Sequence, residues 1–573
     1  MNRARAARAV AVLAALLVAG CSTVPTSSPT VQITQEPARA SEAVGIEPLE
    51  PEEGATPEEI VRGFIDAAAS TARGHPVARE YLTPDAARTW SDEAGITVLA
   101  ADYATVTSAA GTVAVTADRM GDVDPRGVLT IGAGRDAYTH DFALQEVDGE
   151  WRIADPPDGL LMLQPDFERL YDKRAVYFID PTRQRVVPDP RYLIQGDAQP
   201  TALVERLIAG PAPALASGVQ NLLSGARLVR SVTAAGQSVT VDLSGVADLA
   251  PSQLSLLSAQ LVWTLQQLPG GPSVELLVDG EPLVLEGVPQ LQSVEDWSTF
   301  DPEATPADAV GHYLQGGALW RTDTSPVPAP GPAGAGAYAL QSAAVSADAR
   351  TGQLSAMAGV TGPPGQAQLL VGPYGGDLEV KQTGGDFTEP TVAATRNEFW
   401  TVKNGTDVVR VPADGTPQPV DGSSLTALGR VSSLQLSPDG VRVAVIVNGG
   451  QLYVGTVVRA EDSPVTLRDL RAVAPDLFGV TDVAWAAADR LLVIATGGPE
   501  EGVVPYSLGV DGWGLASVAT AGLPGQPTAI AAAPSQQPLV SANGSMWQLS
   551  GGTWVTLVRG QEPKLGVDPF FPA

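Results

Sequence analysis

From residue 343 onward the chain repeats itself, and the period of that repeat limits what this region can fold into. AAVSADARTGQLSAM begins at 343, TVAATRNEFWTVKNG at 391, LQLSPDGVRVAVIVNGGQLYVGTV at 434, VAWAAADRLLVIAT at 483 and AIAAAPSQQPLVSANGSMWQLSG at 529. The starts differ by 48, 43, 49 and 46 residues. Each unit offers an apolar strand, a small polar turn, a second apolar strand and a third. Ser437-Pro438-Asp439-Gly440 is the clearest of the turns. Several short strands per unit at a period of about 40 to 50 residues are the mark of a β-propeller. HYLQGGALWRTD, residues 312–323, can supply strands to a further blade shared with the C-terminal GVDPFFPA. Building one blade from both ends of the ring removes the open sheet edge. Six blades are therefore expected, with five and seven left open. The propeller is expected over 341–573, after a 301–340 linker that includes the Pro/Gly/Ala spacer TSPVPAPGPAGAGA and the blade-closing strands. Trp400, Tyr453, Trp485, Trp547 and Trp554 fall on blade strands and are expected to pack there.

Two units of different character precede this region. In 56–168, Thr56-Pro57-Glu58-Glu59 opens a helix, with Thr as cap, Pro in the first turn and Glu three residues after the cap. Ile60, Phe64 and Ile65 form its apolar face, and two shorter helices are expected near 76–82 and 84–91. Segments of strand period follow, so an α+β unit similar to the NTF2-like fold is expected. In it, Gly132-Ala133-Gly134-Arg135-Asp136-Ala137 fits a dinucleotide fingerprint in letters only. The segment after it reads as a strand rather than the helix a dinucleotide needs, so a hairpin turn is expected there.

The second unit, 169–300, reads as α+β. RAVYFIDPTRQRVVPDPRYL is a hairpin, and PTALVERLIAGP is a helix with Leu203, Val204, Leu207 and Ile208 on one face. A strand pair turns at Ala235-Gly236. A longer helix places Leu254, Leu257, Leu261, Leu265 and Leu268 at 3-4-4-3 spacing. The phrases LVERLIAGP, VTVDLSG, AQLVWTLQQLPG and VELLVDGEPL closely resemble the GerMN domain, first named in spore-germination proteins.

The N-terminus explains the chain's single cysteine. Arg3, Arg5 and Arg8 are followed by an apolar or small run from Val10 to Gly20, about half the ~20 residues a membrane helix needs. Residues 1–20 thus read as a secretory signal peptide. Val18-Ala19-Gly20-Cys21 resembles a bacterial lipobox, in which the chain is cut before the cysteine and the sulfur is acylated. Cys21 is the expected lipid attachment point, carrying a diacylglycerol thioether and an N-acyl chain, which together anchor stably where one chain is marginal. An ordinary signal peptide with a stray cysteine, or a short anchor, are the alternatives. Residues 21–55, rich in Ser, Thr, Pro and Glu, are expected to be a flexible tether.

The residue inventory is poor in catalytic patterns. His75, His140 and His312 fall in three different segments, with no pair at metal-ligand spacing. The sequence lacks the GxSxG elbow and the SxxK pair, and no Lys is followed by Ser or Thr as a phosphate-binding loop requires. Asp122 and Asp124, and the cluster Glu52, Glu53, Glu58 and Glu59, read as turn and linker residues. The chain is not expected to be an enzyme, or to use a cofactor or metal. A net charge of −29 opposes nucleic-acid binding, which rests on phosphate neutralisation.

The order of lipobox, acidic tether, α+β unit, GerMN domain and propeller resembles the actinobacterial lipoprotein LpqB family. The resemblance implies a lipid-anchored protein on the outer face of the cytoplasmic membrane. Its implied partner is the extracellular domain of a two-component sensor kinase of the MtrA–MtrB type, which it would tune in cell-envelope homeostasis and division. Only Cys21 carries over as a functional residue, and no partner-binding residue is implied. The alternative is a module that binds an envelope glycan or peptidoglycan fragment without touching a kinase.

Overall fold

The computed structural model describes residues 48–573 except 108–110, 324, 349–350, 461–462 and 499–500. Cys21 and the lipobox residues Val18, Ala19 and Gly20 lie outside the described residues, as does most of the expected tether.

The first helix, Pro57–Ala68, starts where its capping box dictates. The Thr56 amide donates to Glu59 Oε2 at 2.8 Å, and the Glu59 amide donates back to Thr56 Oγ1 at 3.4 Å. Its buried face is Ile60, Val61, Phe64 and Ile65. Phe64 meets Trp90 and Phe142 edge to face, with ring centroids 5.3 and 6.3 Å apart. Two short helices, Pro76–Glu80 and Pro84–Thr89, lead into the sheet. Its strand order is Glu150–Ile153, Leu129–Val147, Thr112–Val123, Ile96–Leu99, Leu160–Leu163, with Ala104–Thr107 also paired to Thr112–Val123. One expectation fails here. Gly132–Ala137 is not a turn but lies inside the long strand Leu129–Val147. The register passes from Gly121↔Ile131 to Arg119↔Asp136, so the glycine-rich stretch is a wide bulge. No helix follows it, as the strand reading required.

In the second α+β unit the hairpin strands are Tyr171–Ile179 and Val186–Ile194. Helix Gln199–Ala209 and helix Pro251–Leu265 follow. The longer helix connects strand Ser238–Ser244 to its parallel neighbour Ser273–Val278, a pairing that needs such a crossover. Ala235 pairs with Ser238, so the turn is Gly236-Gln237, one residue later than expected. Gly236 has φ +64°, which favours glycine at that position.

The C-terminal region is all-β and propeller-like. Among the described residues it holds six antiparallel sheets, five of four strands and one of five. Their first strands touch in sequence: Ser342–Ala347, Thr391–Ala393, Val431–Leu436, Phe478–Ala487, Pro527–Ala531 and Val567–Phe570, the last returning to the first. The closing sheet joins His312–Gln315, Ala318–Arg321 and Val327–Pro328 to the C-terminal strand Val567–Phe570. His312 pairs with Phe570 and Leu314 with Val567. His312 is buried, its Nδ1–H donating to Val310 O and its Nε2 accepting from Tyr374 O–H, both at 2.9 Å. Burial pushes its pKa down to about 4, so it stays neutral in this seam. Trp400, Trp485 and Trp554 are buried between strands, as expected for blade packing.

Candidate functional site

Two features could carry function: the junction that fixes the domains together and the axis of the ring. The hairpin of 171–194 builds the junction. Asp180 shapes its tip by accepting from the amides of Thr182, Gln184 and Arg185, each at 2.7 Å. Arg185 then donates to Ala304 O at 2.7 Å, tying the tip to the linker. Arg442, the first residue of the strand Arg442–Val447 that follows the SPDG turn, donates to Pro188 O at 2.6 Å. Lys173 Nζ lies 3.5 Å from both Asp489 and Asp511 of the propeller, and Tyr192 O–H donates to Asp511 at 3.0 Å. Trp513 meets Phe167 and Tyr192 edge to face at 5.5 and 6.3 Å, which also brings in the N-terminal unit. Behind the hairpin, Glu303 accepts from the Ala488 amide at 2.9 Å. Burial, with added repulsion from Asp489 and Asp301, pushes its carboxyl up to about 7.

The ring axis holds a cavity of about 120 Å³, lined by the first strands and by Ala304, Thr305 and the C-terminal Pro572 and Ala573. Three acids from alternate sheets converge here: Glu389, Asp482 and Asp568. Asp482 accepts from the amides of Val483 at 2.9 Å and Ile530 at 2.7 Å. Asp568 faces Glu389. Burial first, then repulsion from Glu389, pushes the carboxyls of Asp482 and Asp568 well above the usual range. Among the described residues no group of His, Cys, Asp and Glu is arranged to hold a metal ion.

The cluster makes a signed prediction. An acid whose folded pKa lies above its unfolded value, about 3.9 for Asp, costs no stability below that value. Stability then falls as pH rises from there through the folded pKa. Asp568→Asn removes the cost. Asp568 also has φ +52°, a conformation that Asn tolerates well. The variant is expected to melt at least about 2 °C above the parent at pH 8, and the gain should vanish near pH 4. Thermal melts across pH check this, and a gain that grows toward acid would refute the assignment.

Residues singled out in the sequence occupy separate places. His75 Nδ1 lies 2.9 Å from Asp92 Oδ2 in the N-terminal unit. His140 stacks with Tyr138 and meets Phe142 edge to face in the long strand, and His312 sits in the closing seam. Asp124 accepts from the amides of Arg126 and Val128, each at 2.9 Å, as a turn residue does. Glu389, Asp482 and Asp568 were not anticipated. The available signal was an acid in or just before every second inner strand: Glu389 ahead of Thr391–Ala393, Asp482 within Phe478–Ala487 and Asp568 within Val567–Phe570.

The chain is thus an N-terminal α+β unit and a GerMN domain docked on a propeller-like ring. Residues 50–168 match the family described as the N-terminal domain of lipoprotein LpqB, and 317–572 match its beta-propeller domain. Residues 175–284 match a family described as sporulation and spore germination. Proteins named lipoprotein LpqB are similar along nearly the whole length. The one from Rhodococcus opacus is 31% identical over 516 residues, 85% of this chain and 84% of that one. The one from Nocardia farcinica is 31% identical over 575 residues, covering 95% and 93%. The one from Mycobacterium bovis BCG is 33% identical over 512 residues, covering 84% and 85%. The chain belongs to the LpqB lipoprotein family. Among the described residues no helix is long and apolar enough to cross a membrane.

Proposed function

We infer that this protein is a lipid-anchored, extracytoplasmic accessory of a two-component sensor kinase of the MtrA–MtrB type, acting by binding the kinase's extracellular domain. On this reading Cys21 carries the lipid, the N-terminal unit is NTF2-like and the six sheets are the six blades of a propeller. The observation that carries the reading is the junction. Lys173, Arg185, Tyr192, Arg442 and Trp513 fasten three domains into one body, so a partner meets a surface with fixed spacing between GerMN domain and ring. A rigid platform can favour one kinase conformation over another, and tuning requires that preference. Anchoring beside a membrane-embedded partner raises the effective concentration.

The test is interferometry between residues 22–573 and the purified extracellular domain of an MtrB-like kinase, paired with kinase autophosphorylation in vesicles that contain both full-length proteins. Saturable binding, with a change in autophosphorylation that is lost in Cys21→Ser, is the expected result. No binding at tens of micromolar together with unchanged autophosphorylation would overturn the reading.

A further inference from the structure

A cleft of about 970 Å³ runs between the N-terminal unit and the propeller. Its walls come from strand Thr112–Val123, helix Gln164–Leu170, the segments 473–478 and 512–515, and Gly497, Gly498 and Glu501. Two large apolar side chains stand open in it, Phe478 at 51% exposure and Leu515 at 38%. Trp513 lies between them and the domain junction, packed on Phe167, so the floor beneath is firm. Four carboxylates rim the cleft: Asp118, Glu168, Asp476 and Glu501, all exposed. Among the described lining side chains the one cation is Arg119, which is bound to Asp122. The cleft therefore joins an unpartnered apolar centre to a rim of one sign, the pattern of a site whose anchor side chain is desolvated and whose rim selects charge. Gly514 lines it with open space where a side chain would stand, which leaves room for a backbone to lie close.

We propose that this cleft docks an extended, basic segment of a partner protein, seating a large apolar side chain on Phe478 and Leu515 while flanking Lys or Arg residues meet the carboxylate rim. The rim fixes the sign of the occupant: an acidic peptide or an anionic lipid surface would face four like charges. The inference stands apart from the kinase reading, since it names the chemistry of the segment and not the protein that carries it.

The test is selection of phage-displayed linear dodecapeptides on the full-length chain in detergent micelles, followed by anisotropy titration of the enriched peptides. Enriched sequences are expected to combine two or more Lys or Arg with a Leu, Phe or Trp. Their affinity should fall at least about tenfold in Phe478→Ser and again in Glu501→Lys. It should weaken further as salt screens the rim. Both substitutions lie at exposed positions, so the fold is kept, and an unchanged melting temperature verifies that. No enrichment, enrichment of acidic peptides, or peptides that bind both variants as tightly as the parent would overturn the proposal. Dimerisation of the chain that is lost in Phe478→Ser would also overturn it, by assigning the cleft to a second copy.

Discussion

A chain ending at Gly566 is expected to lose its soluble monomeric form. The seven residues removed hold strand Val567–Phe570, which pairs with His312–Gln315 and touches the first strands of two neighbouring sheets. Phe570 stacks on the His312 ring with centroids 5.4 Å apart. The last residue is fastened too: the Ala573 amide donates to Val345 O at 3.1 Å, and the Ala347 amide donates to Ala573 O at 2.7 Å. Without this strand the ring is open. His312–Gln315 then becomes an unpaired edge, and such edges template association between chains. The expected result is aggregation on size-exclusion chromatography and a melting temperature lowered by more than about 10 °C. A monomer that melts within about 2 °C of the parent would show that the closing strand is dispensable.

Glu398→Ala should destabilise nearly as much. Glu398 is buried among three donors. Trp400 Nε1 donates to its Oε1 at 3.0 Å, Arg410 donates to its Oε2 at 2.9 Å, and Arg459 donates to Oε1 as well. The Arg459 guanidinium also lies over the Trp400 ring, 5.4 Å from its centroid. Burial pushes the carboxyl up, but the two guanidiniums and the indole outweigh it and hold its pKa below the usual range. Removing it leaves two arginines crowded together without a counter-charge. Breaking a buried pair from one side costs about 3–5 kcal/mol, or roughly 10 °C in melting temperature. Glu398→Gln keeps an acceptor for Trp400 and should fall between the two. The group's contribution is present above its unfolded pKa, about 4.3, and is lost as pH falls through its lower folded value. The gap between parent and Glu398→Ala should therefore close in acid, and melts at pH 7 and pH 3 would show it.

Much of this architecture could be read from local signals. The Thr56 to Glu59 capping box places a helix start because both halves lie within one turn. The repeat from 343 onward was legible because each unit is complete in sequence. The closing sheet was harder, since its strands come from residues 312–328 and 567–570. What escaped was long-range or many-sided. The leucine spacing of helix Pro251–Leu265 suggests one buried stripe, yet Leu256, Ser258, Gln260, Val262 and Thr264 are buried as well. The hairpin and neighbouring helices cover several of its sides, and Gln260 donates to Tyr177 O at 3.0 Å. The strand period that follows Gly132-Ala133-Gly134 suggests a hairpin turn, and nothing local distinguishes a turn from a bulge. Glu389, Asp482 and Asp568 converge only once the ring is closed, so no short window of sequence contains them.

The seam at His312 also sets a timetable for biosynthesis. The strand His312–Gln315 is made early in the ring, but its partner Val567–Phe570 is made only after the strands of the five other sheets. At about 5–20 residues per second the interval is roughly 10 to 50 s. For that time the nascent ring has an unsatisfied edge and cannot reach its final geometry. The N-terminal unit and GerMN domain face no such delay, because their own strands pair within each unit. A chain stalled or clipped near its end would therefore carry two well-formed domains attached to an unclosed, sticky one. Quality control that inspects only the closing strand would distinguish closed rings from open ones.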